Sequence, residues 1–263
     1  MGSATRESVS SAIAVLDAQA KLDAATGEQL LQAALVVEGS PHLRAALADD
    51  SADPADRTSI VNAVFGAYTT AAKTVLVALA TSRWSNADDL VGGIEHVGIR
   101  AVAASAPAGV SLSDELFAFS TAVSSSSELE LALGSKLGAA EGRTALVKQL
   151  LGKKASAQTV TILSALIAQP RGRRIAEIVR YASTIVAEQA GSTIATVTVA
   201  ASLTPEQLTR LEKALSAQHG GTIRINEVVD PSIIGGMRVQ IGDEIIDGTI
   251  ASRIADLRLR LAS

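Results

Sequence analysis

The sequence predicts a mainly α-helical protein that carries a small α/β unit at its C-terminal end. Three observations give that class. Apolar residues recur three and four apart through most of positions 3–190, in short runs broken by Gly, Pro and Ser. The apolar content is 48% and leans on alanine, with only 2% aromatic residues, which favours short helices that pack closely. Beyond position 192 the period changes to alternation in three stretches, the mark of half-buried strands.

The helices can be placed in order. Ser3 or Thr5 is expected to cap a first helix whose apolar face is Val9, Ile13, Leu16 and Ala20. Gly27 is expected to interrupt, with a second helix over Glu28–Glu38. Gly39-Ser40-Pro41 then gives a break, a cap and a first-turn proline. A short helix over His42–Ala48, an acidic turn over Asp49–Pro54 and helices near Ala55–Gly66 and Thr69–Thr81 follow. After the Arg83-Trp84-Ser85 junction, Asp88–Ala103 reads as a helix weakened by Gly92, Gly93 and Gly98. Each helix has an apolar stripe and none reads as apolar all round, so a six-helix bundle over 1–105 is expected.

Shifting the chain by 86 residues brings a second helical series into register. Leu30 and Leu31 fall on Leu116 and Phe117, Leu43 and Leu47 on Leu129 and Leu133, Arg57 on Arg143, and Val64 and Phe65 on Leu150 and Leu151. With a small slip, Trp84–Ala103 falls on Arg171–Ala190. The breaks coincide as well as the stripes, so 106–191 is read as a second bundle that duplicates about 27–105, joined by the turn-like Ser105–Ser113. Its helices are expected at Asp114–Val123, Ser126–Leu133, Ala139–Leu151, Ala155–Gln169 and Arg171–Ala190. Positions 136–180 hold nine basic and two acidic groups in a chain whose net charge is −4. Such asymmetry marks a contact face centred on Arg171, Arg173, Arg174 and Arg180.

The remaining 192–263 form a β-α-β-β-α unit. Thr193–Ala200 alternates as a strand. Thr204-Pro205-Glu206-Gln207 is a strong helix start, followed by Leu208, Leu211 and Leu215 on one face. Thr222–Val229 is the second strand, closed by Asp230-Pro231. Gly235-Gly236 permits a reversal into Met237–Ile241, and Gly242-Asp243 turns into a short strand over Glu244–Asp247. Gly248 ends it, and Thr249 caps a final helix with Ile250, Ile254, Leu257 and Leu261 on its face.

Several function classes are excluded. Without cysteine there is no disulfide framework, thiolate metal site or thiol catalysis. The three histidines, His42, His96 and His219, lack metal-ligand spacing. Asp243, Glu244 and Asp247 do not make a calcium loop, and Gly134–Gly142 lacks the Lys-Ser/Thr ending of a nucleotide-binding loop. Asp49/Asp50 and Asp88/Asp89 are adjacent and do not share a helix face. No apolar run reaches membrane-span length, and the N-terminus is too polar for a signal peptide, so neither membrane insertion nor export is expected. No cofactor, metal or catalytic set is expected.

The run Asn226–Gly236 (NEVVDPSIIGG), then Val239–Asp243 and Ile246–Ile250, resembles the C-terminal signature of the delta subunit of F-type ATP synthases, relatives of the mitochondrial oligomycin-sensitivity-conferring protein. Its structural residues here are Asp230, Pro231, Gly235, Gly236, Gly242, Asp247 and Gly248. The resemblance implies a non-catalytic stator subunit, in an enlarged form like those of actinobacteria, on the cytoplasmic side of the cell membrane. It implies that the N-terminal bundle receives the N-terminal segments of the alpha subunits; the nearest matches to that groove are Val9, Ile13, Leu16, Val75 and Leu79. It further implies that the C-terminal unit meets the b subunit of the peripheral stalk, with Leu208, Leu211, Ile254 and Leu257, and the basic Arg171, Arg173 and Arg174, as the expected contact residues. The alternative from the residues themselves is a helical adaptor whose basic face binds nucleic acid. The absence of an interleaved aromatic set and of a recognition helix disfavours it. A small-molecule enzyme between bundle and sheet ranks last.

Overall fold

In the computed structural model, which describes residues 2–19, 22–134, 140–152, 154–242 and 244–254, the first helices are α1 (Ser3–Asp17), α2 (Ala24–Gly39), α3 (Pro41–Ala48), α4 (Pro54–Val64), α5 (Thr70–Thr81) and α6 (Ala87–Ala104). A second series follows: α7 (Leu112–Ser124), α8 (Ser127–Gly134), α9 (Ala140–Leu151), α10 (Ala157–Ala168) and α11 (Ile175–Gln189). The rest is β1 (Ser192–Val199), α12 (Pro205–His219), β2 (Thr222–Val229), β3 (Met237–Ile241) and β4 (Glu244–Asp247). The chain divides into two units, Met1–Val186 and Ala187–Ser263.

Local sequence explains most helix starts. Ser40, Thr69, Asn86, Ser111 and Ser156 each accept the amide three residues on. Each such cap contributes about 1 kcal/mol against alanine. The first two helices start otherwise than expected. The N-cap of α1 is Gly2, which offers no side-chain bond. Thr5 instead donates to Asp89 Oδ2 at 2.6 Å, so its hydroxyl ties α1 to α6. Helix α2 begins at Ala24, because Asp23 caps it by accepting from Thr26.

The glycines inside helices are contact points rather than interruptions. A Cβ on Gly27 would lie 2.6 Å from the Val102 backbone nitrogen, on Gly93 2.2 Å from the Trp84 ring, and on Gly98 3.0 Å from Leu31. They let α2 and α6 approach closely and let Trp84 tuck against α6.

Two apolar cores lie in the first unit. One gathers α1–α6, with Leu16, Leu30, Phe65, Leu79 and Ile94 among its buried side chains. The other gathers α7–α11, with Leu116, Leu133, Ile162 and Ile178, and it also takes Leu31, Ile99 and Val102 from α2 and α6. Helices α2 and α6 are therefore a wall between both cores. Helix α6 is the most enclosed, with buried residues from Leu90 to Ala103, but Asp88, Gly92, His96, Arg100 and Ala104 keep one stripe of it less buried, so it is not apolar all round.

In the second unit the expected β-α-β-β-α order gains a strand, because Glu244–Asp247 pairs with β3 as β4; the sheet order is β2-β1-β3-β4, with β1 parallel to β2 and antiparallel to β3. Alternate residues Ala195, Val197 and Val199 of β1 face a core with Leu215, Ile223 and Val239, and Leu211 packs against it. Helix α12 carries the full capping box: Thr204 accepts from Gln207, and Gln207 accepts in return. Residues 250–254 are helical; Leu257 and Leu261 lie outside the described residues.

Candidate functional site

No cluster of three potential metal-ligating side chains occurs among the described residues, and none of the described helices is long and apolar enough to cross a membrane. The sites to weigh are surfaces, of which the sequence names three.

The first is the α1/α5 face. Val9 is 6% exposed and Leu16, Val75 and Leu79 are 0% exposed; Ile13 is partly buried. Four of the five expected groove residues thus fill the chain's own core, because α1 packs directly on α5 and α6. The open feature beside them is a recess of about 560 Å³ lined by Ser3, Ala4, Glu7, Ser8 and Ser11 of α1 and by 82–85. Ser8 donates to the Arg83 carbonyl at 2.6 Å, and Trp84 Nε1 donates to the Leu79 carbonyl at 2.8 Å, so the floor is fixed. Apolar periodicity passes over this recess because its lining is polar. The signal available in the sequence was the run of serines and Glu7 on the outer side of α1.

The second is the turn between α10 and α11. The expected helix over Arg171–Ala190 begins only at Ile175, so Arg171, Arg173 and Arg174 lie in the turn. Two of them face inward. Arg173 makes two bonds to the Glu95 carboxylate, at 2.6 and 3.0 Å, and its guanidinium lies 4.9 Å from the Tyr181 ring centroid. Arg171 donates to the Asp88 carbonyl at 2.6 Å and lies 3.6 Å from Glu38 and 3.8 Å from Glu95. Only Arg174 of the three is exposed. Half of the expected basic face, Arg171 and Arg173, is therefore an internal ion network, because Glu95, at 5% exposure, requires a cationic partner, whereas Arg174 and Arg180 are exposed. Next to it, burial and then Arg100 pull the His96 imidazole down to about 4.

The third is the C-terminal signature, whose residues shape turns. Asp230 accepts the Ser232 amide at 2.9 Å; hydrogen bonds from the Ser232 side chain and then its backbone hold the carboxyl below its ordinary value. Asp247 does the same for Thr249, whose amide and hydroxyl hold it low. Gly236 has φ +83, and a Cβ there would meet the Gly248 carbonyl at 2.4 Å. Ile250 donates its amide to Gly235 at 3.0 Å. These bonds bring the loop after β2 against the loop after β4. The exposed large apolar side chains described in this unit are Val228 and Val229 at the end of β2, Ile245 and Ile246 on β4, and Ile234 (84%), Ile250 and Ile254 (46%). Leu208 and Leu211 on α12 are half-buried.

The sequence model of the family described as ATP synthase delta (OSCP) subunit matches residues 101–261. The ATP synthase subunit delta of Leifsonia xyli is 48% identical over 263 residues, all of both chains. That of Nocardioides sp. is 38% identical over 91% of this chain and 88% of its own. Among solved structures, a chain of the Toxoplasma gondii mitochondrial ATP synthase hexamer aligns with 64% of this chain and 96% of its own, at 18% identity and a TM-score of 0.42.

Proposed function

The chain belongs to the ATP synthase delta (OSCP) subunit family, and we propose that it works there as the link between the alpha subunits of the catalytic head and the b subunit of the peripheral stalk. Its class is that of a non-catalytic stator subunit. Holding the head still against the rotor lets proton flow be coupled to ATP synthesis, and places the chain peripherally at the cytoplasmic side of the membrane. The observation that carries this reading is the 48% identity with a delta subunit along the whole length of both chains.

In this reading the alpha-subunit segments dock at the α1/α5 edge. Ile13 and the serine-lined recess are the accessible part of that edge, while Val9, Leu16, Val75 and Leu79 support it from beneath. The b subunit docks on the C-terminal unit, whose exposed large apolar side chains among the described residues include Ile254, Ile250 and Ile234. Leu208 and Leu211 on α12 belong to this proposed contact, and Arg174, in the first unit, is proposed as a separate one. The nucleic-acid alternative is the weaker reading at Arg171 and Arg173, which are engaged with Glu38 and Glu95.

We also propose that α7–α11 duplicate α2–α6. Repeated side-chain devices support this more firmly than repeated apolar stripes. Ser40 accepts from Leu43 and, 86 residues on, Ser126 accepts from Leu129. Gln29 accepts the Thr69 amide at the start of α5, and Glu115 accepts the Ser156 amide at the start of α10. Arg57 donates to the Ala80 carbonyl at the end of α5, and Arg143 to the Ile167 and Ala168 carbonyls at the end of α10. The domain division that follows is 1–105, 106–191 and 192–263.

The test is reconstitution. Membrane vesicles carrying the whole synthase, stripped of this chain, should lose proton-driven ATP synthesis to background while the released head still hydrolyses ATP. Adding the purified chain back should restore synthesis, and a tagged chain should recover the alpha and b subunits. Undiminished synthesis without the chain would refute the reading.

A further inference from the structure

The turn between α10 and α11 has features that a simple connection does not need. Among the described residues, Arg171 alone combines a side chain with a positive φ, +49, and Gly172 follows at +79. Arg173 donates its amide to the Pro170 carbonyl at 2.9 Å, closing the turn around those two residues. Two consecutive positive φ angles favour Gly and Asn, not Arg. A non-glycine residue persists there only where surrounding contacts over-determine it.

Those contacts come from the other helical series. Arg171 reaches the Asp88 carbonyl, Glu38 and Glu95, and Arg173 takes Glu95 in a two-point bond. Arg44 extends the chain of charges by bridging Glu38 at 3.1 Å and Asp88 at 3.2 Å. Gly92 leaves room: a Cβ there would lie 3.3 Å from the Arg171 guanidinium. Beneath the turn, Ala165 and Leu166 of α10 face Leu31, Ala34 and Leu35 of α2 across a residual gap of about 10 Å³, which Glu38, Glu95 and Arg171 also line.

We propose that this turn is a latch: Arg171 and Arg173, gripping Glu95 and Glu38, hold α7–α11 in fixed register against α1–α6, so that the two series move as one body rather than about the connection 105–111. The proposal does not rest on the stator reading; a chain of any function with this seam would show it.

Arg171→Gly separates the latch from an ordinary turn. Glycine relieves the positive φ, so a turn without a holding role gains stability from the change. A latch loses its grip instead. The full chain has no cysteine, so spin labels can be placed at exposed Ser59→Cys on α4 and Lys148→Cys on α9. The parent should give one narrow distance distribution by pulsed electron resonance. Arg171→Gly and Glu95→Gln should each at least double its width and raise amide exchange in α10 and residues 171–174 at least tenfold, with the β1–β3 amides unchanged. An Arg171→Gly chain with a narrow distribution and a higher unfolding midpoint would overturn the proposal. Should Glu95→Gln fail to fold, Arg171→Gly, a change in a turn, still decides it.

Discussion

Replacing Gly27 by alanine tests whether the α2–α6 wall is set by backbone contact. Alone in a helix interior, the change should stabilise by about 1 kcal/mol, since glycine is the poorer helix former. Here the new methyl would sit 2.6 Å from the Val102 nitrogen and 2.9 Å from its Cα. Neither atom can swing away as a side chain does. Bringing the contact back to van der Waals distance parts the two helices by nearly 1 Å, and gaps of roughly 0.5–1 Å forfeit a quarter to a half of each dispersion contact along the seam. Overpacking of this kind costs about 1–3 kcal/mol. Because α6 is buried from Leu90 to Ala103 on all but one stripe and cannot readily shift, the upper end applies. The net expectation is a loss of about 2 kcal/mol, read as a lower urea midpoint at unchanged slope. A midpoint equal to or above that of the parent would refute the reasoning, because the helix-propensity gain would then have met no opposing contact.

The remaining predictions use other isolated features. Gly142→Ala, in α9 with nothing within 4 Å of the new Cβ, should raise stability by about 0.5–1 kcal/mol in the same assay. Arg57→Met, which removes a 3% exposed donor from the end of α5, should cost about 2 kcal/mol by denaturant melts, since the Ala80 carbonyl is left without that partner. His96 is held neutral in the fold, near 4 against an ordinary 6.5. The unfolded chain therefore takes up its proton first as pH falls. Its contribution is complete above pH 6.5 and is lost progressively down to about 4, on the order of 3 kcal/mol in all. His96→Gln should flatten the stability–pH slope across that window.

Elements whose cause is local were legible in the sequence. Ser40-Pro41 and Thr204-Pro205-Glu206-Gln207 start their helices where they stand, because a cap needs only its next three amides. Strands β2, β3 and β4 fall where alternation placed them. What escaped is what depends on distant partners. Gly27, Gly93 and Gly98 read as breakers until Val102, Trp84 and Leu31 are seen against them. Arg173 reads as a free cation until Glu95, 78 residues away, is placed under it. The sheet order escaped too, since β3 pairs with β1, not with β2 before it, and only register can say so.

On the duplication reading, the second series has one helix fewer than the first, and the wall explains how it does without. In the first series α1 lies along α5 and α6 and completes their core. In the second, α10 and α11 stand where α5 and α6 stood, and no sixth helix precedes α7. Helix α10 instead packs on α2 and α6, and Leu31, Ile99 and Val102 enter the second core from outside the repeat. The first copy thus supplies part of what a missing helix would bury. That is why α2 and α6 carry apolar residues on two faces, and why their contact requires glycine at positions 27 and 98. A copied bundle with its first helix deleted leaves an apolar face open, and such a face is stable in water only against another apolar surface. The copy already beside it in the chain is the surface that meets this need.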